Sequence, residues 1–405
     1  MVFPNPFRPG AGHAPLHLAG RSKEVDAFAR LIEQRPVLRN AIITGLRGVG
    51  KTVLLDQLKP RAQQAGWLWT GTDLTESASL TEERICRRLI TDLSVLLKPI
   101  IIRTSETLPL GFAREAETTS TPVDFDDLWE LFERTPGLNE DKIKSVLLSV
   151  RNMLTGSNSK GIVFAYDEAQ NLSDNSQRDQ YPLSILLDTF ASIQRDRHDI
   201  QFLLVLTGLP TLFPRLNEAR TYSERMFDVM HLDRLSPMES REAILKPIEI
   251  ASSPISFSPT AVDDIVKMSG GYPYFIQYIC KEVFDAWITQ IETGEIRAVA
   301  DDEITAKLDQ DFFSARWDRA TDRQQEFMKV IATLDSADSE FTTQEIVSAS
   351  RRILKKGFSP SHATQILSAL LDKGLVYRNR HGKYSFAVPL MAAFVARQDV
   401  SGLVD

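Results

Sequence analysis

The stretch Gly45-Leu46-Arg47-Gly48-Val49-Gly50-Lys51-Thr52 constrains this chain more than any other. It follows the apolar run Ala41-Ile42-Ile43 and precedes Val53-Leu54-Leu55-Asp56-Gln57-Leu58, which reads as a strand, a glycine loop and then a helix. Glycines tolerate the dihedrals that turn backbone N–H groups onto an anion, and a helix N-terminus adds a favourable dipole. Residues Gly45, Leu46, Arg47, Gly48, Val49, Gly50, Lys51, Thr52 and Val53 are therefore the expected phosphate cradle. Lys51 bridges the β- and γ-phosphates in such a loop, and the Thr52 hydroxyl ligates Mg²⁺. A solvated glycine turn would not need the strand and helix flanks.

A second apolar run, Gly161-Ile162-Val163-Phe164-Ala165-Tyr166, ends in Asp167-Glu168. Taken alone, this is a common strand-to-loop junction. Downstream of a phosphate loop it supplies the other half of a hydrolytic site, with Asp167 holding Mg²⁺ and Glu168 polarising the attacking water. A further strand, Ile200 to Leu206, ends at Thr207-Gly208-Leu209-Pro210. Ligands of open α/β sheets bind at the carboxyl ends of strands, so Thr207 is a candidate γ-phosphate sensor. The competing reading is a threonine that caps the next turn. Beyond it, Arg225, and after it Arg220, are candidates for an arginine finger reaching a neighbouring subunit's site; the alternative is an ordinary solvated arginine.

At 405 residues the chain has room for two or three domains. A composition of 43% hydrophobic and 25% charged residues is that of a globular protein with a sizeable core. Its net charge of −7 makes bulk attraction to nucleic acid unfavourable, so a polyanion needs a local basic patch. Cys86 and Cys280 have no CxxC or Cys/His spacing and read as buried free thiols, which fits a reducing, cytoplasmic location. The N-terminus lacks a signal-like pattern and no run approaches membrane-spanning length, so neither export nor membrane insertion is expected.

Taken in order, residues 1–18 are Pro- and Gly-rich and irregular, and Ser22 to Ile32 is an amphipathic helix. Trp67 to Thr72 reads as a strand and Thr81 to Lys98 as a long helix with Ile85, Leu89 and Leu93 on one stripe. Between about 99 and 136 the periodicity breaks around Asp124, Asp126 and Asp127, which reads as an insertion with little core of its own. Asn139 to Leu154 restores a helix. Residues 237 to about 291 look all-helical, with Gly270-Gly271-Tyr272-Pro273 between two helices.

The C-terminal part reads as helices Arg323 to Leu334, Thr342 to Ser350 and Ser359 to Lys373, then two short strands around Arg378 to Lys383. Three helices and a hairpin in that order describe a winged helix-turn-helix. Between Phe341 and Leu390 lie Arg351, Arg352, Lys355, Lys356, Lys373, Arg378, Arg380 and Lys383, against only Glu345 and Asp372. That is an electrostatic footprint for duplex DNA, with His362 among the base-reading candidates. Winged helices also dock proteins, so a protein partner is the alternative.

With these pieces the sequence resembles the AAA+ ATPases, specifically bacterial members related to the origin-recognition and STAND groups. The resemblance rests on Leu18 to Glu24, Gly45 to Thr52, Tyr166-Asp167-Glu168, Thr207 to Pro210, Tyr222-Ser223-Glu224-Arg225, Gly270 to Pro273 and the C-terminal winged helix. It implies an α/β P-loop NTPase fold with a parallel sheet ordered 5-1-4-3-2, a helical lid, and homo-oligomers sharing ATP sites. The expected divisions are an irregular segment 1–18, a nucleotide-binding core 19–234, a lid and linker 235–318 and a winged-helix domain 319–405. The resemblance further implies that Pro273, with Gly20 and Arg21, frames the adenine, and that no lid arginine assists hydrolysis. Slow turnover would suit an ATP- and Mg²⁺-dependent switch acting on DNA; the alternative is a STAND-like signalling or scaffold ATPase in defence or transposition.

Overall fold

The computed structural model describes residues 4–10, 12–77, 81–99, 102–107, 117–196, 198–253, 255–293, 301–380 and 382–398. Its central sheet is built from β1 (Asn40–Gly45), β2 (Trp67–Thr70), β5 (Gly161–Tyr166), β6 (Gln201–Gly208) and β7 (Phe227–Leu232). Between β2 and β5 lies a separate antiparallel hairpin of β3 (Ile102–Thr107) and β4 (Glu117–Pro122). Every residue of β1, β5 and β6 is buried, and burial on both faces is why these strands read as largely apolar runs.

The strand order is β2-β5-β6-β1-β7. Counting only the five sheet strands in chain order, this is the expected 5-1-4-3-2 read from the other edge. β2 pairs parallel with β5, β5 with β6 and β6 with β1, with Thr44 opposite Gly208 and Tyr166 opposite Leu206. Asp167 and Thr207 therefore leave adjacent strands at the same, carboxyl, edge.

The chain packs as two compact units, each discontinuous in sequence. One comprises Lys23–Thr44 and Leu54–His231 and contains the sheet. Its core is aromatic around β5, where Phe164 meets Phe190 at 5.1 Å and Phe202 at 5.5 Å between ring centroids. The other comprises Met1–Ser22, Gly45–Val53 and Leu232–Asp405. The division expected at residue 234 is linear, whereas this packing is interleaved, with the glycine loop grouped with the C-terminal half.

The segment to residue 136, expected to be an insertion with little core of its own, contributes to the sheet unit's core, because Phe125–Arg134 is a helix whose Leu128 and Phe132 are buried in the sheet unit's main cluster. The acidic residues that broke the periodicity are its start signal: Asp124 accepts from the Asp127 N–H at 3.1 Å, and Asp126 and Asp127 sit in the first turn, where the helix dipole favours them. Trp129 stacks on Phe132 at 4.9 Å, with Arg87 over its ring at 4.1 Å. The tip of the β3–β4 hairpin, 108–116, lies outside the described residues.

In the second unit, helices Pro237–Ile250, Pro259–Ser269 and Pro273–Thr293 form the expected helical block. A linker follows, Asp301–Leu308, a π-helical turn Asp309–Ser314 and the short helix Ala315–Trp317. Helices Asp322–Ala332, Thr343–Ile353 and Pro360–Asp372 then precede the hairpin β8 (Val376–Arg380) and β9 (Lys383–Phe386), and an unanticipated last helix, Met391–Arg397, closes the described chain. Both cysteines are free and buried, as expected. Among the described residues no helix is long and apolar enough to cross a membrane.

Candidate nucleotide site

The glycine loop runs from the end of β1 into the helix Lys51–Gln64, whose first turn directs backbone N–H groups at the loop. Gly48 and Gly50 have φ of +78° and +92°, a region that side-chain-bearing residues rarely enter. At Gly45 the constraint is space, since a Cβ would stand 2.4 Å from the Leu232 carbonyl oxygen. The Lys51 side chain is largely buried, and Nζ donates to the carbonyls of Gly45 at 3.0 Å and Leu46 at 2.9 Å. The ammonium is thereby held across the mouth of the loop, where a phosphate can take over those hydrogen bonds.

Two sequence-distant segments brace this loop. Buried Arg21 donates through Nη2 to the Val49 carbonyl at 3.0 Å and to that of Asp233 at 2.7 Å. Gly20 is packed by Leu235 and Glu239. Pro273 occupies the first turn of its helix, and the next residue, Tyr274, donates its N–H to the Gly48 carbonyl at 3.2 Å. Gly271, at φ +77°, accepts from Leu235 N–H at 2.7 Å. The Gly-Gly-Tyr-Pro segment is thus a strut beneath the loop as well as a turn. In the same unit a cavity of about 780 Å³ is lined by Leu46, Asp233, Tyr272, Tyr377, Asn379 and Arg397 among others.

The sheet unit carries the carboxylates. Asp167 is 3% exposed and its Oδ1 accepts from the Glu168 N–H at 2.7 Å and from the Thr207 hydroxyl. Thr207, fully buried, therefore holds Asp167 instead of capping a turn. Glu168 adopts φ +52°, ψ +33°, a left-handed conformation that costs a non-glycine residue on the order of 1 kcal/mol or more and marks functional positions. It turns the carboxylate out of the β5 line.

Two residues here escaped the sequence reading. Gln170 Nε2 donates to Glu168 Oε2, while its Oε1 accepts from the Leu209 N–H at 3.1 Å, so one amide ties the Glu168 carboxylate to the loop after β6. The spacing Asp-Glu-Ala-Gln was its only signal. Gln170→Ala is expected to lower ATP turnover by about tenfold to a hundredfold through misplacement of Glu168, with ADP affinity unchanged. Steady-state hydrolysis and ADP titration would show this, and an unchanged rate would remove the positioning role. The other is Asp73, just past β2, whose pKa is raised by burial first and then by Asp167, Glu168 and Asp56. Burial likewise raises Asp56, with Lys59 opposing and Asp167 adding to the shift.

Such mutual repulsion among carboxylates is what a divalent cation relieves. Among the described residues no group of three Asp, Glu, His or Cys side chains is arranged to hold a metal.

The finger candidates separate clearly. Arg220 is bound within the chain, Nε donating to Asp188 at 2.9 and 3.0 Å and Nη2 at 2.5 Å, with the Tyr222 hydroxyl on the same carboxylate. Arg225 is exposed at the end of the helix Ser223–Met226. In the C-terminal part Arg351, Arg352, Lys355, Lys356 and Arg378 are exposed, whereas His362 and Lys383 are half-buried. His362 lies against Phe358, with ring centroids 5.6 Å apart, and its backbone N–H donates to the hydroxyl of Ser359, which caps the helix. The Arg380 side chain lies outside the described residues.

A parallel sheet in this order, with a phosphate loop after its first strand and a carboxylate pair after its third, defines a P-loop NTPase. Residues 17–202 match a family described as AAA ATPase domain, so the chain carries an ATPase domain of the AAA type. Residues 310–395 match a domain of unknown function (DUF8462). No curated protein sequence matches the chain. Among solved structures it is similar to the Walker-type ATPase PABY2304 of Pyrococcus abyssi, at 14% identity and TM-score 0.52, covering 93% of this chain and 96% of that one. It is also similar to the ADP form of the ORC2 protein of Aeropyrum pernix, at 13% identity and TM-score 0.55, covering 99% and 100%. The ADPNP-ADP complexes of that ORC2 protein match at 15% identity and TM-score 0.52, covering 95% and 94%. At these identities the likeness is one of fold.

Proposed function

We propose that this ATPase is a switch that couples its nucleotide state to duplex DNA through a C-terminal winged helix. One ATP would be held by the loop Gly45–Val53 with Lys51 on its outer phosphates, and Thr52 and Asp167 would hold Mg²⁺. When bound, Mg²⁺ would neutralise charge on the β- and γ-phosphates. Glu168 orients water and accepts its proton, and Thr207 holds the Asp167 carboxylate through its hydroxyl, as a metal ligand would require. Arg225 acts from a neighbouring subunit, Pro273 and Gly20-Arg21 flank the base, and the setting is cytoplasmic.

The observation that supports DNA as the target is the exposure of Arg351, Arg352, Lys355, Lys356 and Arg378 on a three-helix-and-hairpin element of an otherwise acidic chain. Binding to duplex DNA in the presence of ATP should weaken with salt, log K falling by about 0.9 per neutralised phosphate for each unit of log salt concentration. Replacing Arg351, Arg352 and Arg378 together by alanine should reduce that slope by about three. Salt-independent binding, or none with ATP present, would instead favour a scaffold whose winged helix docks a protein.

A further inference from the structure

Arg225 projects from a helix of only four residues, Ser223–Met226, so its direction depends on what anchors that helix. Ser223 and Met226 face inward and are buried, while Glu224 and Arg225 are exposed. The Ser223 hydroxyl lies within hydrogen-bond distance of the carbonyls of Leu216, at 2.9 Å, and Arg220, at 2.6 Å. These bonds join the helix to its predecessor, Leu212–Ala219. The residues between the two, Arg220 to Tyr222, are fastened to a third helix, Pro182–Gln194.

That fastening is a single carboxylate. Asp188 accepts from Arg220 Nε at 2.9 and 3.0 Å and from Nη2 at 2.5 Å, and the Tyr222 hydroxyl donates to the same group. Burial first, and then the bond to Asp188, push the Tyr222 pKa up, which keeps its hydroxyl protonated and donating. Asp188 is the one charged residue of its helix, and every other residue from Pro182 to Phe190 is buried. An exposed ion pair would contribute little, but a forked arginine contact on a half-buried carboxylate, shared with a hydroxyl, fixes direction as well as distance. At its start the same helix is bonded to the segment that follows the carboxylate pair, since the N–H groups of Leu183 and Ser184 donate to Asp174 Oδ1 at 2.9 and 3.1 Å. Arg215, on the helix before Arg225, donates to the Gln170 carbonyl. Glu168 and Arg225 are therefore carried on one bonded frame inside the sheet unit.

We infer that Asp188 is a positioning residue for Arg225: through Arg220 and Tyr222 it sets the direction in which the helix Ser223–Met226 presents that arginine. This rests on the reading above of Arg225 as acting on a neighbouring subunit's site. It makes Arg220 the clamp that aims the finger instead of a second finger. A guanidinium displaced by about 1 Å from its productive place can cost on the order of 10²-fold in rate, so the clamp has a kinetic value beyond its contribution to stability.

The test compares Asp188→Asn, Asp188→Glu and Tyr222→Phe with Arg225→Ala and Glu168→Gln in the full chain, each alone and mixed in equal amounts. Asp188→Asn keeps the size of the side chain and removes its charge. Its ATP turnover should fall about tenfold to a hundredfold with ADP affinity within about twofold, and Asp188→Glu and Tyr222→Phe should lose less. Mixing then reads where the defect lies. Asp188→Asn retains an intact nucleotide site, so it should regain turnover with Glu168→Gln, which retains an aimed Arg225. It should regain none with Arg225→Ala, because neither chain supplies an aimed arginine. Full activity of Asp188→Asn alone, activity regained with Arg225→Ala, or none regained with Glu168→Gln overturns the proposal, the last being what a loss of fold would give. The Arg225 reading is tested without Asp188: if Glu168→Gln and Arg225→Ala regain nothing together, the shared site is overturned and the positioning role with it.

Discussion

Glu168→Gln is expected to bind ATP as wild type does and to lose turnover by about 10²–10⁴-fold, the usual contribution of a general base. The substitution keeps size and the hydrogen bond to Gln170 within reach while removing the group that can accept a proton. Asp167 is fixed independently, by the Glu168 N–H and the Thr207 hydroxyl, so the metal position should survive. The backbone is already in the left-handed region and glutamine has the same backbone preferences as glutamate. A single-turnover assay together with retention of radiolabelled ATP would show trapped nucleotide. Undiminished hydrolysis would remove Glu168 from the site and leave the β5 carboxylates with a purely electrostatic role.

Arg225→Ala is expected to reduce hydrolysis by about 10³–10⁵-fold if it stabilises the transition state from a neighbouring subunit. Arg220, the other candidate, already has its fork on Asp188, and withdrawing it would leave that carboxylate and Tyr222 to be repartnered. Among the described residues no such tie holds exposed Arg225. A shared site makes a sharper demand: equal amounts of Arg225→Ala and Glu168→Gln should regain activity that neither has alone, because mixed assemblies contain one intact interface. The specific activity of wild type should also rise with protein concentration. A concentration-independent rate that Arg225→Ala leaves unchanged would place the whole site in one chain.

The sheet and the glycine loop at its edge were legible because their signals are local. β1, β5 and β6 are unbroken apolar runs, and the motifs at their ends are spaced by backbone geometry. What was hidden depended on partners far away in sequence. The helix Pro182–Gln194 has nearly every residue from Pro182 to Phe190 buried, so no polar face marks its period. The helix Phe125–Arg134 was masked by its own acidic cap, which reads as loop until the core it enters is known. Gln170 and Asp73 show no motif; each matters only because the ends of β2, β5 and β6 come together.

The grouping of Gly45–Val53 with residues after Leu232 bears on how the chain folds. The loop's braces, Arg21 with Asp233 and Tyr274 with Gly48, close across more than two hundred residues. Contacts of such separation form only after a large loop-closure entropy has been met, which places the phosphate cradle among the late-ordering parts of the molecule. A nascent chain ending near His231 would contain every strand of the central sheet except the last residue of β7, yet lack the Tyr274 and Asp233 groups that hold the loop in shape. Competence to grip nucleotide would then arrive with synthesis of the lid, coupling the timing of ligand capture to the emergence of the C-terminal half.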